Sequence, residues 1–366
     1  MKNTIGTSLS LTLFGESHGS HIGAVLDGIA PGIPVDEAEI ERLLSKRRPR
    51  SALDTPRREK DNFQIVSGVF NGKTTGSPLC ILIPNENTKS VDYSYGNARP
   101  SHADYAAYAK YHGFEDYRGG GHFSGRITAA LVAVGGILIP ALGRLGITLG
   151  THIAACGGAL DRPFGDIRAD IGALEKGTFP TLDPHAAEAI SREILAARAD
   201  CDSIGGRTES AVCGLPAGLG EPWFDSVESL LSHALFSIGG IKGVAFGEGF
   251  GFASLRGSEA NDPFRIKDGC VVTETNKNGG VNGGITNGMP LLFSCAVKPT
   301  PSIAKTQRTV DFIEMQEVEL SIEGRHDPAI IRRICPVIDS VTAFVLCDML
   351  TARYGTDVLL KGIPKS

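Results

Sequence analysis

Polar and apolar positions alternate at period two through residues 8–15, SLSLTLFG, as in a half-buried strand. HIGAVLDG from His21 continues as a second strand. The period then becomes helical: Asp36 stands as a cap, Glu39 follows three positions on, and Ile40, Leu43 and Leu44 share one face before Pro49 ends the segment. Strands are predicted over residues 63–69 and 79–83. From Ile127 the run ITAALVAVGGILIPALGRLGI predicts a buried helix, its glycines, Pro140 and Arg144 arguing against a membrane span. A strand over 147–155 follows. Asp183 with Pro184 at the first helical position opens a helix carrying Ile190 and Ile194 four apart, and Asp225 with Glu228 caps another whose Val227, Leu230, Leu231 and Ala234 face inward. Strands over 242–247, 290–298 and 317–322 precede a final helix over 336–354.

Strand pairs and helices mix without regular β-α-β alternation, which predicts an α+β fold with largely antiparallel sheets. No linker rich in Pro, Ser or charge divides residues 1–366, so one domain is expected. The stretch NKNGGVNGGITNGMP, residues 276–290, is too rich in Gly and Asn for regular structure, and a loop of that length in a compact domain is usually functional.

Composition adds one unusual feature. The 366 residues include 46 glycines, about one in eight against a usual 7% or so, so the chain must turn tightly or approach something closely at many points. A net charge of −5 offers no global basic field for nucleic acid or a membrane surface. The first residues, MKNTIGTSLSLTLFGESHG, lack the apolar core of a signal peptide. Eight cysteines lie scattered, with no C-x-x-C pair; several sit in apolar strings, which predicts free thiols, those several buried, and a cytoplasmic setting.

Candidate chemistry begins with charge. Seven basic residues, Lys46, Arg47, Arg48, Arg50, Arg57, Arg58 and Lys60, face only Asp54 and Glu59 between them. Such a run is either a solvated loop or an anion site, since arginine's planar fork suits phosphate and carboxylate. Arg118 and Arg126 bracket RGGGHFSGR, where glycines let backbone N–H groups converge on an anion, or simply make a turn. Neither a dinucleotide fingerprint nor a P-loop is present. His18 in FGESHG and His102 in RPSHADY lie in turns, and imidazole can exchange a proton near neutrality. No ligand spacing around His18 and His21 supports a metal. In GRHDP, Asp327 could act chemically or cap a helix beginning at Pro328.

In this order, FGESHG, RPSHADY, YRGGGHFSGRITA, GGVNGGITNGMP, VKPTPSI and GRHDP resemble the motif series of the chorismate synthase family, over nearly the whole chain. The resemblance implies a single α+β unit with antiparallel sheets sandwiched by helices, assembled as a homotetramer. It implies anti 1,4-elimination of phosphate from 5-enolpyruvylshikimate-3-phosphate to give chorismate, with reduced FMN required and no net oxidation. By the family pattern His18 would protonate departing phosphate, His102 would supply a proton to the reduced flavin, and Asp327 with Ser17 would relay a proton there. Flavin contacts would fall on His122, Phe123, Ser124, Gly239, Gly240, Gly284, Lys298, Pro299, Thr300, Pro301, Ser302 and Arg325.

Arg47, Arg126 and Arg118 would meet substrate or NADP anions. The sequence departs from the family where Leu53 replaces a second arginine of the basic loop, which puts nicotinamide contact in doubt. HFSGR replaces a commoner RxSAR, and Asp339 stands where glutamate is usual. The chain resembles the monofunctional type, which takes flavin reduced by a separate NADPH-dependent reductase. Two other readings remain, a flavin-independent phosphate-releasing hydrolase and a non-catalytic binder of anionic metabolites.

Overall fold

The computed structural model describes residues 2–51, 53–55, 60–86, 95–322 and 327–364. Two five-stranded sheets, antiparallel at every pairing, organise the fold. The first has the spatial order Thr4–Ile5, Ser10–Gly15, His21–Asp27, Leu79–Pro84, Gln64–Ser67. The second runs Ile241–Phe246, Leu291–Val297, Gly206–Cys213, Thr148–Cys156, Ala159–Leu160. The α+β expectation holds.

A helical layer lies between the sheets. The Thr128–Arg144 helix packs on His21–Asp27 and Leu79–Pro84 of the first sheet, and Ile331–Tyr354 packs on Thr148–Cys156 and Gly206–Cys213 of the second. Glycines let these helices approach: a Cβ on Gly135 would stand 2.1 Å from Ser340 Oγ, and one on Gly136 would stand 2.7 Å from Ile40 Cα of the Glu37–Arg47 helix. One cluster of buried apolar side chains runs from Leu9 and Ile22 through Val134 and Phe344 to Phe293. Both long apolar helices, Gly125–Arg144 and Ile331–Tyr354, are mostly buried in it, the latter to 94%.

The second sheet carries helices on both faces. Successive strand residues point to opposite sides: Thr151 meets Asp339 of the Ile331–Tyr354 helix, while Gly150 meets Ile171 and Leu174 of the Ile167–Lys176 helix.

Several local expectations shift. The helix predicted to be capped by Asp225 is capped by Ser226, whose hydroxyl accepts from the Ser229 N–H. The last helix begins at Ile331, with Pro336 inside its second turn, where proline lacks the N–H that would bond the Arg332 carbonyl; burial of that turn against other elements keeps it helical. Asp327 caps no helix, because its carboxylate is drawn instead to Thr55 and Arg333. Within residues 276–290 a two-residue pair, Val281–Asn282 with Ile285–Thr286, interrupts the loop. The helices Asp104–Tyr111 and Ile167–Lys176 went unpredicted, being short and rich in alanine or polar residues.

Candidate active site

The glycine run after Arg118 forms the centre of the site. Gly119, Gly120 and Gly121 have φ of 60°, 83° and 52°, a left-handed path that a side chain would strain. The path allows close contact on both sides. A Cβ on Gly119 would stand 2.2 Å from His18 Cε1 and 2.6 Å from Ser17 Oγ, and one on Gly120 would stand 3.0 Å from His102 Cε1. Two histidines 84 positions apart in sequence thus pack on consecutive glycines, whose Cα atoms are about 3.8 Å apart.

Each histidine is oriented. Ser17 N–H donates to the Gly121 carbonyl at 3.1 Å, and Ser17 Oγ donates to the Arg118 carbonyl at 3.2 Å. With its only hydrogen committed there, Ser17 Oγ accepts from His18 Nδ1 at 3.1 Å, which fixes the ring's orientation. His102 Nδ1 lies 2.7 Å from Asp104 Oδ1, while Arg99 grips the same carboxylate through Nε at 2.8 Å and Nη2 at 2.7 Å. Burial alone would raise the Asp104 pKa, but Arg99 and His102 outweigh it and hold this carboxyl well below the usual range. An ionised carboxylate only accepts, so His102 carries its hydrogen on Nδ1, with Nε2 near Gly120. His122 is fixed on the same turn, its Nδ1 donating to the Gly15 carbonyl at 2.7 Å.

Two cavities flank this segment. One, about 380 Å³, is lined by His102, Gly120, Phe123, Arg99 and Tyr95 among others. The other, about 220 Å³, is lined by Ser124, Gly125, Gly239, Asp327 and the arginines Arg47, Arg126 and Arg333. His102 and Asp327 therefore line different hollows, with residues 120–128 contributing to both.

The arginines are held by buried carboxylates. Asp61, with a side chain only 1% exposed, pairs with Arg126 and lies 3.5 Å from both Arg47 and Arg48. Burial raises its pKa, but Arg47, Arg126 and Arg48 together bring it below the ordinary value. Arg47 Nη2 donates to the Gly125 carbonyl at 2.7 Å, and Arg126 Nη2 donates to the Pro84 carbonyl at 3.0 Å. Arg332 pairs with buried Asp54, and Arg333 with Asp327. Arg47, Arg126 and Arg333 against Asp61 and Asp327 leave this cavity net positive, fit for an anion. Arg118 instead forms a half-exposed pair with Asp116.

The other predicted contacts scatter more widely. Lys298 Nζ donates to the Ser101 carbonyl at 2.7 Å, which ties it to the His102 turn, and burial followed by Lys242 lowers its pKa. Lys298 N–H donates to the Gly240 carbonyl at 2.9 Å. The Thr300 carbonyl accepts from Ser203 Oγ at 2.7 Å; Ser302 is buried, Pro301 is partly so, and Pro299 is exposed. Gly284 packs on Ser226 and Val227, where its carbonyl accepts from the Val227 N–H at the start of the Val227–Phe236 helix. Leu53 is half-buried against the core. Ser17 and Asp327 make no direct hydrogen bond: backbone carbonyls hold the first and Arg333 the second. Arg325, Arg57 and Arg58 lie outside the described residues. Among the described residues no group of three or more His, Cys, Asp or Glu could hold a metal.

Sequence reading missed Asp61, Arg332, Arg333, Asp104 and Arg99. Two adjacent arginines in the apolar run IIRRIC, which must find partners if buried, were the available signal.

The chorismate synthase family model matches residues 9–351. The chain belongs to the chorismate synthase family. It is 46% identical to the chorismate synthase of Thermococcus gammatolerans over 359 residues, covering 97% of this chain and 99% of the relative. Identity to that of Aeropyrum pernix is 44% over 355 residues, covering 96% and 93%. A crystal structure of chorismate synthase superposes with a TM-score of 0.76 at 28% identity, covering 96% of this chain and 94% of the other. As a chorismate synthase family member the protein is an enzyme, a lyase of chorismate formation.

Proposed function

We propose that the protein converts 5-enolpyruvylshikimate-3-phosphate to chorismate and phosphate by anti 1,4-elimination, with reduced FMN required and no net redox change. The observation that carries this reading is the packing of His18 and His102 on consecutive glycines of a turn whose next residues, Ser124, Gly125 and Arg126, line the arginine cavity.

The residues present fit the flavin. Gly125 and Gly239 line the arginine cavity, and a Cβ on either would stand in open space, so bare backbone faces a guest. Thr300, one of the expected contacts, has a buried hydroxyl with no partner among the described residues. Phe123, Ser124, Gly239, Gly240, Lys298 and Thr300 would hold the cofactor, with His122, Gly284, Pro299, Pro301, Ser302 and Arg325 as further contacts. Reduced FMN, when bound, supplies an electron that is lent and recovered, which lets a non-acidic ring hydrogen leave without net oxidation.

The chain's own groups do the rest. Arg47, Arg126 and Arg333 bind anionic groups of the substrate, with Arg118 at the rim. His18, in the imidazolium form this role requires, gives the Nε2 proton to the departing phosphate while its Nδ1–H is held by Ser17. His102, its ring oriented through Nδ1 by Asp104, passes a proton to the reduced flavin. Asp327 and Ser17 serve proton relay at the flavin, which requires a bridging group between them. NADPH acts only through a separate reductase, and the working assembly is a homotetramer.

An anaerobic assay with and without reduced FMN tests the proposal. Chorismate and phosphate in equal amounts, only with reduced FMN, are expected. Phosphate release without flavin would mean a hydrolase, and tight binding without turnover would mean a binding protein.

A further inference from the structure

A cavity of about 330 Å³ lies along the Thr148–Cys156 strand and shares no lining residue with the two hollows at the histidine turn. The Glu37–Arg47, Thr128–Arg144, Ile167–Lys176 and Ile331–Tyr354 helices enclose it. Its walls are mainly apolar, with Leu43, Ile139, Ile147, Leu149 and Leu174 prominent. Most charged groups around it already have partners. Arg42 pairs with Glu39 at 2.8 Å and Glu175 at 3.6 Å, and Arg332 pairs with Asp54.

Lys46 and Asp339 differ. Lys46 Nζ donates to the Leu174 and Glu175 carbonyls at 3.0 and 2.8 Å, which leaves one of its three N–H groups for another acceptor. Asp339 Oδ1 accepts from Thr151 Oγ1 at 2.6 Å, and the half-buried carboxyl keeps access to the cavity. Lys46 feels the charge of Asp339 without forming an ion pair with it among the described residues.

Two further features point to a polar guest. Thr148 has a buried hydroxyl with no partner among the described residues. Among the described residues the strand is paired from Thr148 to His152 on one side only, by Gly206–Cys213, so backbone groups unclaimed by these residues border the hollow.

An apolar cavity with one anionic and one cationic group set apart matches a zwitterion carrying an apolar body. A bare amine would meet Lys46 unfavourably, and a bare carboxylate would meet Asp339. We propose that this cavity binds a free α-amino acid with an apolar side chain, its ammonium on Asp339, its carboxylate on Lys46 and its side chain against Leu43, Ile139 and Ile147. Burial pushes the empty Asp339 carboxyl up to about 7, against the weaker pull of Thr151 and Lys46, so an incoming ammonium displaces a proton. Glu39, Arg42, Glu175, Arg332 and Cys335 are the other ionisable groups around the cavity.

Isothermal titration of the intact protein at pH 7 with L-leucine, L-methionine and L-phenylalanine tests this. The same titrations use 3-methylbutylamine and 4-methylpentanoate, which each lack one charge of leucine. At least one amino acid is expected to bind saturably below about 10 mM and to release a proton, seen as a heat that changes with buffer. The single-charge analogues, and the amino acid on Asp339→Asn, should bind at least tenfold more weakly. The analogue series uses unmodified protein, so it decides the matter even if a variant misfolds. No saturation by any of the three, or an analogue binding as well as leucine, overturns the proposal.

Discussion

Replacing Asp61 with Asn removes a counter-charge that three arginines share while nearly preserving shape. The Asp61 side chain is 1% exposed, and those of Arg47 and Arg126 are 6% and 5% exposed. Two unit charges 3.5 Å apart, as Asp61 and Arg47 are, attract by about 5 kcal/mol at an effective dielectric near 20. Part of that attraction is offset by desolvation in the native pair, but the variant keeps the desolvation of both guanidiniums and loses their compensation. Breaking a buried pair from one side costs about 3–5 kcal/mol, so that loss is expected near neutral pH.

Equilibrium urea unfolding of both proteins measures it as a lower midpoint at unchanged slope. The effect depends on pH with a definite sign. The native Asp61 pKa lies below its unfolded value, so its contribution is present above about pH 4 and fades as pH falls through the native value. The two proteins should converge in acid. A loss under about 1 kcal/mol at pH 7, or a gap that persists in acid, would refute the buried network.

Gly119→Ala places a methyl group 2.2 Å from His18 Cε1 at a φ of 60°, so the imidazole must move; anaerobic turnover should fall about a hundredfold, and an unchanged kcat would contradict the site geometry. Asp339 has the opposite pH sign to Asp61: its native pKa of about 7 lies above the unfolded value, so stability is lost as pH rises from about 4 to 7. Asp339→Asn lacks that loss, and unfolding at pH 5 and pH 8 should show its advantage over the parent growing by about 2–3 kcal/mol. Equal pH dependence in both proteins would contradict a half-buried, cavity-facing acid with a raised pKa.

Secondary structure was legible wherever period and capping agreed, as at Asp36 with Ile40, Leu43 and Leu44, or Asp183 with Pro184. It was less legible where neighbours decide: Ile331 begins a helix five residues before Pro336 because that turn is buried against other elements. The motif order revealed the family, and the glycine run showed where backbone must turn. That His18, His102 and Asp327 would meet in one hollow was expected from the family resemblance alone; the approach of the two histidines depends on a left-handed path through Gly119 and Gly120, and Asp327 lines a different hollow from His102. The fate of the basic run was not legible. Asp61, one residue past Lys60, turns much of a presumed free cationic loop into a buried ion network.

The central claim is that the two turn histidines form one proton-handling centre. His18→Ala and His102→Ala, each checked for folding and flavin binding, should be assayed anaerobically with reduced FMN and substrate. Each is expected to lower turnover at least about tenfold, with substrate binding largely kept. Turnover near the parent rate in either folded, flavin-binding variant would contradict the assignment.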